Sequence, residues 1–182
     1  MKLVRYGIKN KELPGIIDGE GKIRSLAGLV DEESEDFLSD RNIEVLGRLN
    51  LCKLPVVPGK PRYGCPIAKV GKFVAIGLNY TDHAKETNSP IPDEPIIFMK
   101  AINCLQGPDD NVMLPRGSVK TDWEVELGIV IGKKARYVTQ EKALEHVAGY
   151  VLVNDISERE FQTERGPQWD KGKGCDTFGP VG

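Results

Sequence analysis

Two glutamates, Glu124 and Glu126, alternate with apolar residues in the stretch DWEVELGIVIGK. Side chains two residues apart on a β-strand project from the same face, so the two carboxylates are predicted to converge. Carboxylates at close range repel each other, and burial adds to the cost, so at least one must be protonated or neutralised by a cation. We expect the other phase of the strand, which begins with Trp123, Val125 and Leu127, to pack against the interior.

Asp155 provides a third carboxylate at the end of the next predicted strand, in GYVLVND. Three oxygen ligands without cysteine or histidine are typical of a site for Mg²⁺ or Mn²⁺, with Ca²⁺ as a further candidate. Three protein ligands would leave coordination positions for water or a chelating substrate. The alternative from the residues alone is that Glu124 and Glu126 lie on a solvent-facing edge and Asp155 caps a helix.

His83 and Glu86 form a second group, in DHAKE. Residues three apart on a helix can contact each other, and an imidazole oriented by a carboxylate is a common general base. The alternative is a solvated helical pair. His146, the other histidine, is interpreted as a partner of a helix C-terminus.

Lys171 and Lys173 lie among glycines in WDKGKGCDTFGPVG, which predicts a glycine-rich strand start. Glycine allows the backbone to approach a ligand closely, and a lysine there could neutralise a developing enolate or carboxylate charge. A surface turn is the alternative. The chain contains neither a GxGxxG dinucleotide loop nor a GxSxG nucleophile motif.

Composition excludes several classes of function. The 182 residues carry a formal net charge of −2 without a basic stripe, which argues against nucleic-acid binding. No apolar stretch approaches the ~18 residues of a membrane span. The four cysteines show no CxxC pair, and the N-terminus lacks a signal-like apolar block, so we expect a reducing compartment, either the cytoplasm or the mitochondrial matrix.

A proline-rich linker, LPVVPGKPRYGCP, divides the chain into a small N-terminal domain with this linker (1–66) and a second domain (67–182). The hydrophobic periods predict N-terminal strands at Lys2–Tyr6, Gly15–Asp18 and Lys22–Ser25 and a helix at Ile43–Leu51. After the linker they predict strands, of which KFVAIGL and EPIIFMK are expected to be fully buried, with further strands in DDNVMLP, DWEVELGIVI and AGYVLVND. Short helices are predicted in NYTDHAKE, VTQEKALEHV and SEREFQTE. Strands outnumber helices, which predicts a sheet-rich α+β fold.

Five blocks in order resemble the fumarylacetoacetate hydrolase superfamily: GLNYTDHAKE, PIIFMK, DWEVELGIVIGK, GYVLVNDISERE and GKGCDTFGPVG. The resemblance is strongest to its fumarylacetoacetase-domain branch of acylpyruvate and 2,4-diketo-acid hydrolases. It is dense over Phe73–Gly182 and looser over the first seventy residues. It implies a β-roll core with a small N-terminal α+β domain, usually in a homodimer.

The resemblance also implies roles for eight residues. Glu124, Glu126 and Asp155 would bind a divalent metal, usually Mg²⁺. His83 and Glu86 would form a water-activating dyad on a lid segment. Lys173 would be the active-site lysine, and Arg159 and Gln162 would contact the substrate.

The expected activity is metal-dependent hydrolysis of a C–C bond in a small 1,3-diketo acid of the acylpyruvate or 2,4-diketo-3-deoxy type. An isomerase or decarboxylase acting on a 2-oxo dienedioate or oxaloacetate, a ureidoglycolate lyase, and an inactive dimerisation module are the alternatives. Members of the superfamily continue past TFGPVG through a further glycine-rich loop. We therefore expect the chain to be truncated at its C-terminus and its catalytic domain to be incomplete.

Overall fold

The computed structural model describes residues 1–182 and contains more strands than helices. The twelve β-strands are β1 (Lys2–Tyr6), β2 (Leu13–Ile17), β3 (Ile23–Ser25), β4 (Tyr63–Gly64), β5 (Phe73–Gly77), β6 (Ile96–Lys100), β7 (Leu105–Gln106), β8 (Thr121–Asp122), β9 (Val125–Ile131), β10 (Val147–Asn154), β11 (Ser157–Glu158) and β12 (Gly179–Pro180). The three α-helices are α1 (Asp40–Gly47), α2 (Thr81–Glu86) and α3 (Asp170–Lys173). Short 3₁₀ helices span Leu51–Lys53, Ile102–Cys104 and Gln140–His146, and a π-helix spans Glu160–Glu164. The prediction of a sheet-rich α+β fold is confirmed.

The N-terminal sheet has the strand order β3-β2-β1-β4, and β1 pairs antiparallel with both β2 and β4. Its apolar face packs on α1 through Ile16, Leu26 and Leu46. The strand β4 comes from the segment predicted to be a linker. The helix α1 begins earlier than predicted because Ser39 caps it, with its side-chain oxygen accepting a hydrogen bond from the Asn42 backbone N–H.

Four pairs of strands make up the rest of the molecule: β5–β6, β8–β11 and β9–β10 are antiparallel, and β7–β12 is parallel. Cys104, Ile156 and Phe178 form a small apolar core between them. None of the helices is long and apolar enough to cross a membrane.

The prediction that β5 and β6 are fully buried is wrong. Each strand alternates, and the side chains of Val74, Ile76, Ile97 and Met99 on one face are between 38% and 67% exposed. The two strands form a ribbon that packs on the site through its other face only, where Phe98 and Lys100 are buried.

Three further segments differ from their predictions. Residues 109–115 form a loop rather than a strand, because Met113 donates its backbone N–H to the side chain of Thr177 and not to a neighbouring strand. The helix predicted in VTQEKALEHV is a 3₁₀ helix. The helix predicted in SEREFQTE begins as strand β11 and continues as the π-helix.

Candidate active site

All eight predicted site residues line one cavity of about 660 Å³ between β5, α2, β9 and α3: His83, Glu86, Glu124, Glu126, Asp155, Arg159, Gln162 and Lys173. Residues from distant parts of the sequence therefore meet at one place. Whether each has the role that the resemblance implies stays a prediction.

The pairing of β9 with β10 brings the carboxylates together. In this antiparallel register Glu126 lies opposite Val153, and Val125 lies opposite Asn154. One residue further along, Asp155 donates its backbone N–H to the Glu124 carbonyl at 2.8 Å. The three acidic side chains thus come from one end of a single ribbon.

Glu124, which directly precedes β9, and Glu126 project from the inner face of this strand, and the alternating apolar side chains face outwards. Trp123, Val125 and Leu127 are 70%, 65% and 61% exposed, so the expectation that they pack against the interior is wrong. The inner face has the half-buried Glu124 and Glu126 at the cavity and Gly128 further along. At Gly128 a Cβ would lie 2.7 Å from the side chains of Val151 and Val153, so glycine allows the two strands to close there.

Glu124 lies between two cationic side chains. Lys173 Nζ donates to its Oε2 at 2.5 Å, and Arg159 Nη2 donates to its Oε1 at 2.6 Å. Burial by itself would raise the pKa of Glu124, but the hydrogen bond and charge of Lys173, together with Arg159, outweigh burial and lower it. Glu124 is therefore held as a carboxylate.

Asp155 is only 5% exposed, and an ammonium group lies beside each of its oxygens. Lys173 Nζ lies 3.0 Å from Oδ2. Lys100 Nζ lies 2.6 Å from Oδ1, which is the distance of an ion pair although the angle is not that of a hydrogen bond. Asp155 is therefore neutralised from two sides.

Glu126 forms no ion pair, in contrast to Glu124 and Asp155. Its pKa is raised, first by burial and then by the negative charges of Glu124 and Asp155. This is the repulsion that two glutamates on one strand face predict, and a cation bound among the three carboxylates would relieve it.

The donor set fits a hard cation in type and charge, because all three side chains offer carboxylate oxygens to one cavity. The three do not converge on a common point in this structure. The ammonium of Lys173 lies between Glu124 and Asp155 instead.

Lys173 is the last residue of α3 and is 2% exposed, with Nζ 5.0 Å from the centre of the Phe98 ring. The predicted strand start is thus a helical turn. The neighbouring Gly172 brings this turn against protein backbone rather than against a ligand: a Cβ there would lie 2.4 Å from the Glu158 carbonyl oxygen and 2.6 Å from the Gln162 nitrogen. Close packing on the next element explains this glycine.

Arg159 and Gln162 lie side by side at the cavity wall, and Arg159 Nη1 donates to Gln162 Oε1 at 3.2 Å. Arg159 also donates from Nε and Nη2 to Asp122 Oδ2, at 3.2 Å and 2.8 Å. Sequence reasoning missed Asp122, although its position two residues before Glu124 was a signal that the two share a strand face.

His83 and Glu86 both lie on α2 at the rim of the cavity. No hydrogen bond joins their side chains, and Glu86 is exposed. The structure brings the two residues to the site but does not pair them.

The segment that leads into α2 is strained, because Leu78 has a φ of +48°, a region that bulky side chains disfavour.

Residues 72–182 match the family described as the C-terminal domain of fumarylacetoacetate (FAA) hydrolase. A relative from Burkholderia multivorans, named provisionally as a hydrolase, is 54% identical over all 182 residues, which span 64% of its own length.

Two solved structures each resemble the whole chain. One is a fumarylacetoacetate hydrolase from Exiguobacterium antarcticum, with a TM-score of 0.73, 29% identity and 65% of that protein covered. The other is a 2-hydroxyhepta-2,4-diene-1,7-dioate isomerase from Mycobacterium marinum, with a TM-score of 0.74, 30% identity and 64% covered. The chain thus spans less than two thirds of the proteins that it matches.

Proposed function

Because the chain belongs to the fumarylacetoacetate hydrolase family, we propose that it hydrolyses a C–C bond of a 1,3-diketo acid of the acylpyruvate or 2,4-diketo-3-deoxy type. The observation that supports this proposal best is the single cavity in which a histidine, three carboxylates, a buried lysine and an arginine meet. Such a set would supply a base, ligands for a cation and groups that stabilise negative charge.

Mg²⁺, with Mn²⁺ or Ca²⁺ as substitutes, would be held by Glu124, Glu126 and Asp155 and would act as a Lewis acid towards the oxygens of the substrate. Arg159 lines the cavity and pairs with the oxygen of Glu124 that Lys173 does not contact. It would bind the carboxylate of the diketo acid. Gln162 would orient that guanidinium through its side-chain oxygen.

His83 would take a proton from a water molecule as the water attacks the distal ketone. Glu86 would orient the imidazole, and we propose that their hydrogen bond forms when substrate binds, as catalytic hydrogen bonds often tighten only in the complex. The bond between the former ketone carbon and the central carbon then breaks, and its electron pair remains on the enolate of the leaving 2-oxo acid. The products are a carboxylic acid and, after protonation of the enolate, the 2-oxo acid.

Lys173 would stabilise the negative charge that develops in this reaction. Its ammonium is almost fully removed from solvent, lies against the face of Phe98, and points into the cavity between Glu124 and Asp155. A donor fixed in a site with little water stabilises a developing oxyanion more strongly than water would.

Isomerisation of a 2-oxo dienedioate is the second candidate function. It requires a base that moves a proton along the substrate but no activated water, and the missing hydrogen bond between His83 and Glu86 is compatible with it. The similarity to the dioate isomerase from M. marinum also favours it. Incubation with a panel of acylpyruvates, dienedioates and oxaloacetate, followed by NMR of the products, separates hydrolysis from isomerisation and decarboxylation.

Replacing His83 by Ala tests the base. Loss of a general base lowers kcat by about 10²–10⁴-fold. Removal of metal by EDTA is a separate test, and it should abolish turnover if the carboxylates act through a metal. The matched control is His146→Ala, since His146 lies in the 3₁₀ helix outside the cavity. Full turnover by His83→Ala would exclude this role, and activity that survives EDTA would exclude the metal.

The partners and the compartment remain predictions. We propose a small 2-oxo or diketo acid as the ligand and a homodimer as the assembly. The four cysteines are free thiols, as a reducing compartment would keep them.

A further inference from the structure

Lys100, which the sequence reasoning did not select, is buried beneath the candidate site. It is the last residue of β6, and its side chain is 0% exposed. Lysine is almost never fully buried unless it is paired, because removing an ammonium from water is costly. A lysine in this position therefore requires a specific partner set.

Three acceptors surround the Lys100 ammonium. Nζ donates to the Ile156 carbonyl at 3.1 Å and to the Lys173 carbonyl at 2.5 Å, and it lies 2.6 Å from Asp155 Oδ1. Two hydrogen bonds to carbonyl oxygens and one ion pair to a carboxylate oxygen therefore surround this ammonium. The group thus links the segment after β10 to the last turn of α3.

The contact with Asp155 determines how that carboxylate is presented. With Oδ1 beside Lys100, Oδ2 is the oxygen that reaches Lys173 Nζ at 3.0 Å in the cavity. The contact with the Lys173 carbonyl holds the backbone from which that second ammonium projects. One buried group therefore acts on two of the residues to which the proposed function gives roles.

We propose that Lys100 is a positioning residue that orients the Asp155 carboxylate and the Lys173 backbone for catalysis. This inference rests on the proposed function for its catalytic consequence, although the geometric consequence is independent of it. Lys100 itself does not touch the substrate, because it lies below the cavity floor and does not line the cavity.

Replacing Lys100 by Met keeps the length and apolar stem of the side chain and removes the charge. If Lys100 orients Asp155, the variant should bind Mn²⁺ about 10–100-fold more weakly by isothermal titration, which is the usual effect of losing an outer partner of a metal ligand. If Lys100 acts only as a nearby positive charge, its removal should tighten binding of the cation. The sign of the change therefore separates positioning from simple electrostatics, and tighter binding would overturn the proposal.

Gln106→Leu is the matched control for a purely structural role. Gln106 is 3% exposed in the second region and donates to the backbone carbonyl oxygens of Thr177 and Asn111, but it makes no hydrogen bond to Asp155 or Lys173. A loss of Mn²⁺ affinity no larger in Lys100→Met than in Gln106→Leu would overturn the proposal. Lys100→Gln, which retains side-chain N–H donors, replaces Lys100→Met if the latter does not fold.

The crystal structure of the Lys100 variant without added metal provides a second measurement. If the wild-type chain binds no Mn²⁺, the metal site of the proposed function is wrong, and this structure still decides the role of Lys100. A shift of Asp155 Oδ2 relative to Lys173 Nζ by about 1 Å, enough to disable a designed site, supports positioning. Retention of the 3.0 Å contact overturns it.

Discussion

The two regions of this chain use burial in opposite ways. The most deeply buried residues of the N-terminal region are apolar, with Ile16, Leu26 and Leu46 at their centre. In the second region the fully buried large side chains include Lys100, Glu158 and Lys173, while β5, β6, β9 and β10 expose apolar faces. The buried centre of the N-terminal region is thus apolar, whereas the second region buries paired charges and hydrogen-bonded groups beside its small apolar core.

Not every buried charge in the second region belongs to the candidate site. Glu158 is 0% exposed and accepts hydrogen bonds from the hydroxyls of Ser118 and Thr121 and from two backbone N–H groups. Burial would raise its pKa, but these donors outweigh burial and lower it. Neutral donors satisfy Glu158 completely, so it has a structural role, whereas Asp155 faces two ammonium groups at a cavity.

The largest effect on stability is expected in the N-terminal core. Leu26 is 0% exposed, and Leu26→Ala should lower the free energy of unfolding by about 2–5 kcal/mol, because it removes buried methyl groups and leaves a cavity. Urea denaturation followed by circular dichroism measures the change. A loss below 1 kcal/mol would contradict the view that apolar burial stabilises this region.

A smaller effect is expected where the two regions meet. Arg62 donates to Glu12 Oε1 at 2.8 Å and to both oxygens of Asp110, at 2.5 Å and 2.6 Å. Its hydrogen bonds lower the pKa of Asp110. In Glu12 burial would raise the pKa, but the hydrogen bond from Arg62, together with backbone hydrogen bonds and the charge of Arg5, outweighs burial and lowers it. Arg62→Met should cost about 2 kcal/mol at pH 6, as expected for hydrogen bonds to charged groups.

The stability of the protein at acid pH tests whether the hydrogen bonds from Arg62 contribute through the charges of Glu12 and Asp110. Carboxyl groups with lowered folded-state pKa values stabilise the fold above their unfolded pKa of about 4, and this stabilisation is lost as the pH falls through the folded values. Wild type should therefore lose stability below about pH 4, and its advantage over Arg62→Met should shrink. Denaturation curves at pH 6 and pH 3 measure both, and a constant difference would show that the network contributes through packing instead.

The smallest effect on stability is expected on the outer face of β9. Leu127→Ala is the matched partner of Leu26→Ala, and because Leu127 is 61% exposed the change in unfolding free energy should stay within about 0.5 kcal/mol. Contiguous exposed apolar residues often mark interaction surfaces. Light scattering after size exclusion should therefore show weaker self-association of the variant if the predicted homodimer uses this face. A loss comparable to that of Leu26→Ala would show that the face is buried in the folded protein.

Sequence reasoning identified the eight candidate residues that line the cavity but not the partners that hold them. The period of two predicted that Glu124 and Glu126 share a face, and the order of strands predicted Asp155 nearby. It missed Lys100 because a lysine at the end of an apolar strand is usually interpreted as a solvated terminus. It missed Asp122 because its partner, Arg159, lies 37 residues away.

The sequence by itself determined the fold class, the first three strands of the N-terminal sheet and the chemical types gathered in the site, since these depend on local periodicity and residue identity. Only the tertiary structure decided which face of β9 is covered and which cation meets which carboxylate. Lys173 reaches Glu124 across 49 residues of chain, and Lys100 reaches the Lys173 carbonyl across 73. A local pattern shows which side chains point together, but burial and pairing depend on elements that fold in from elsewhere.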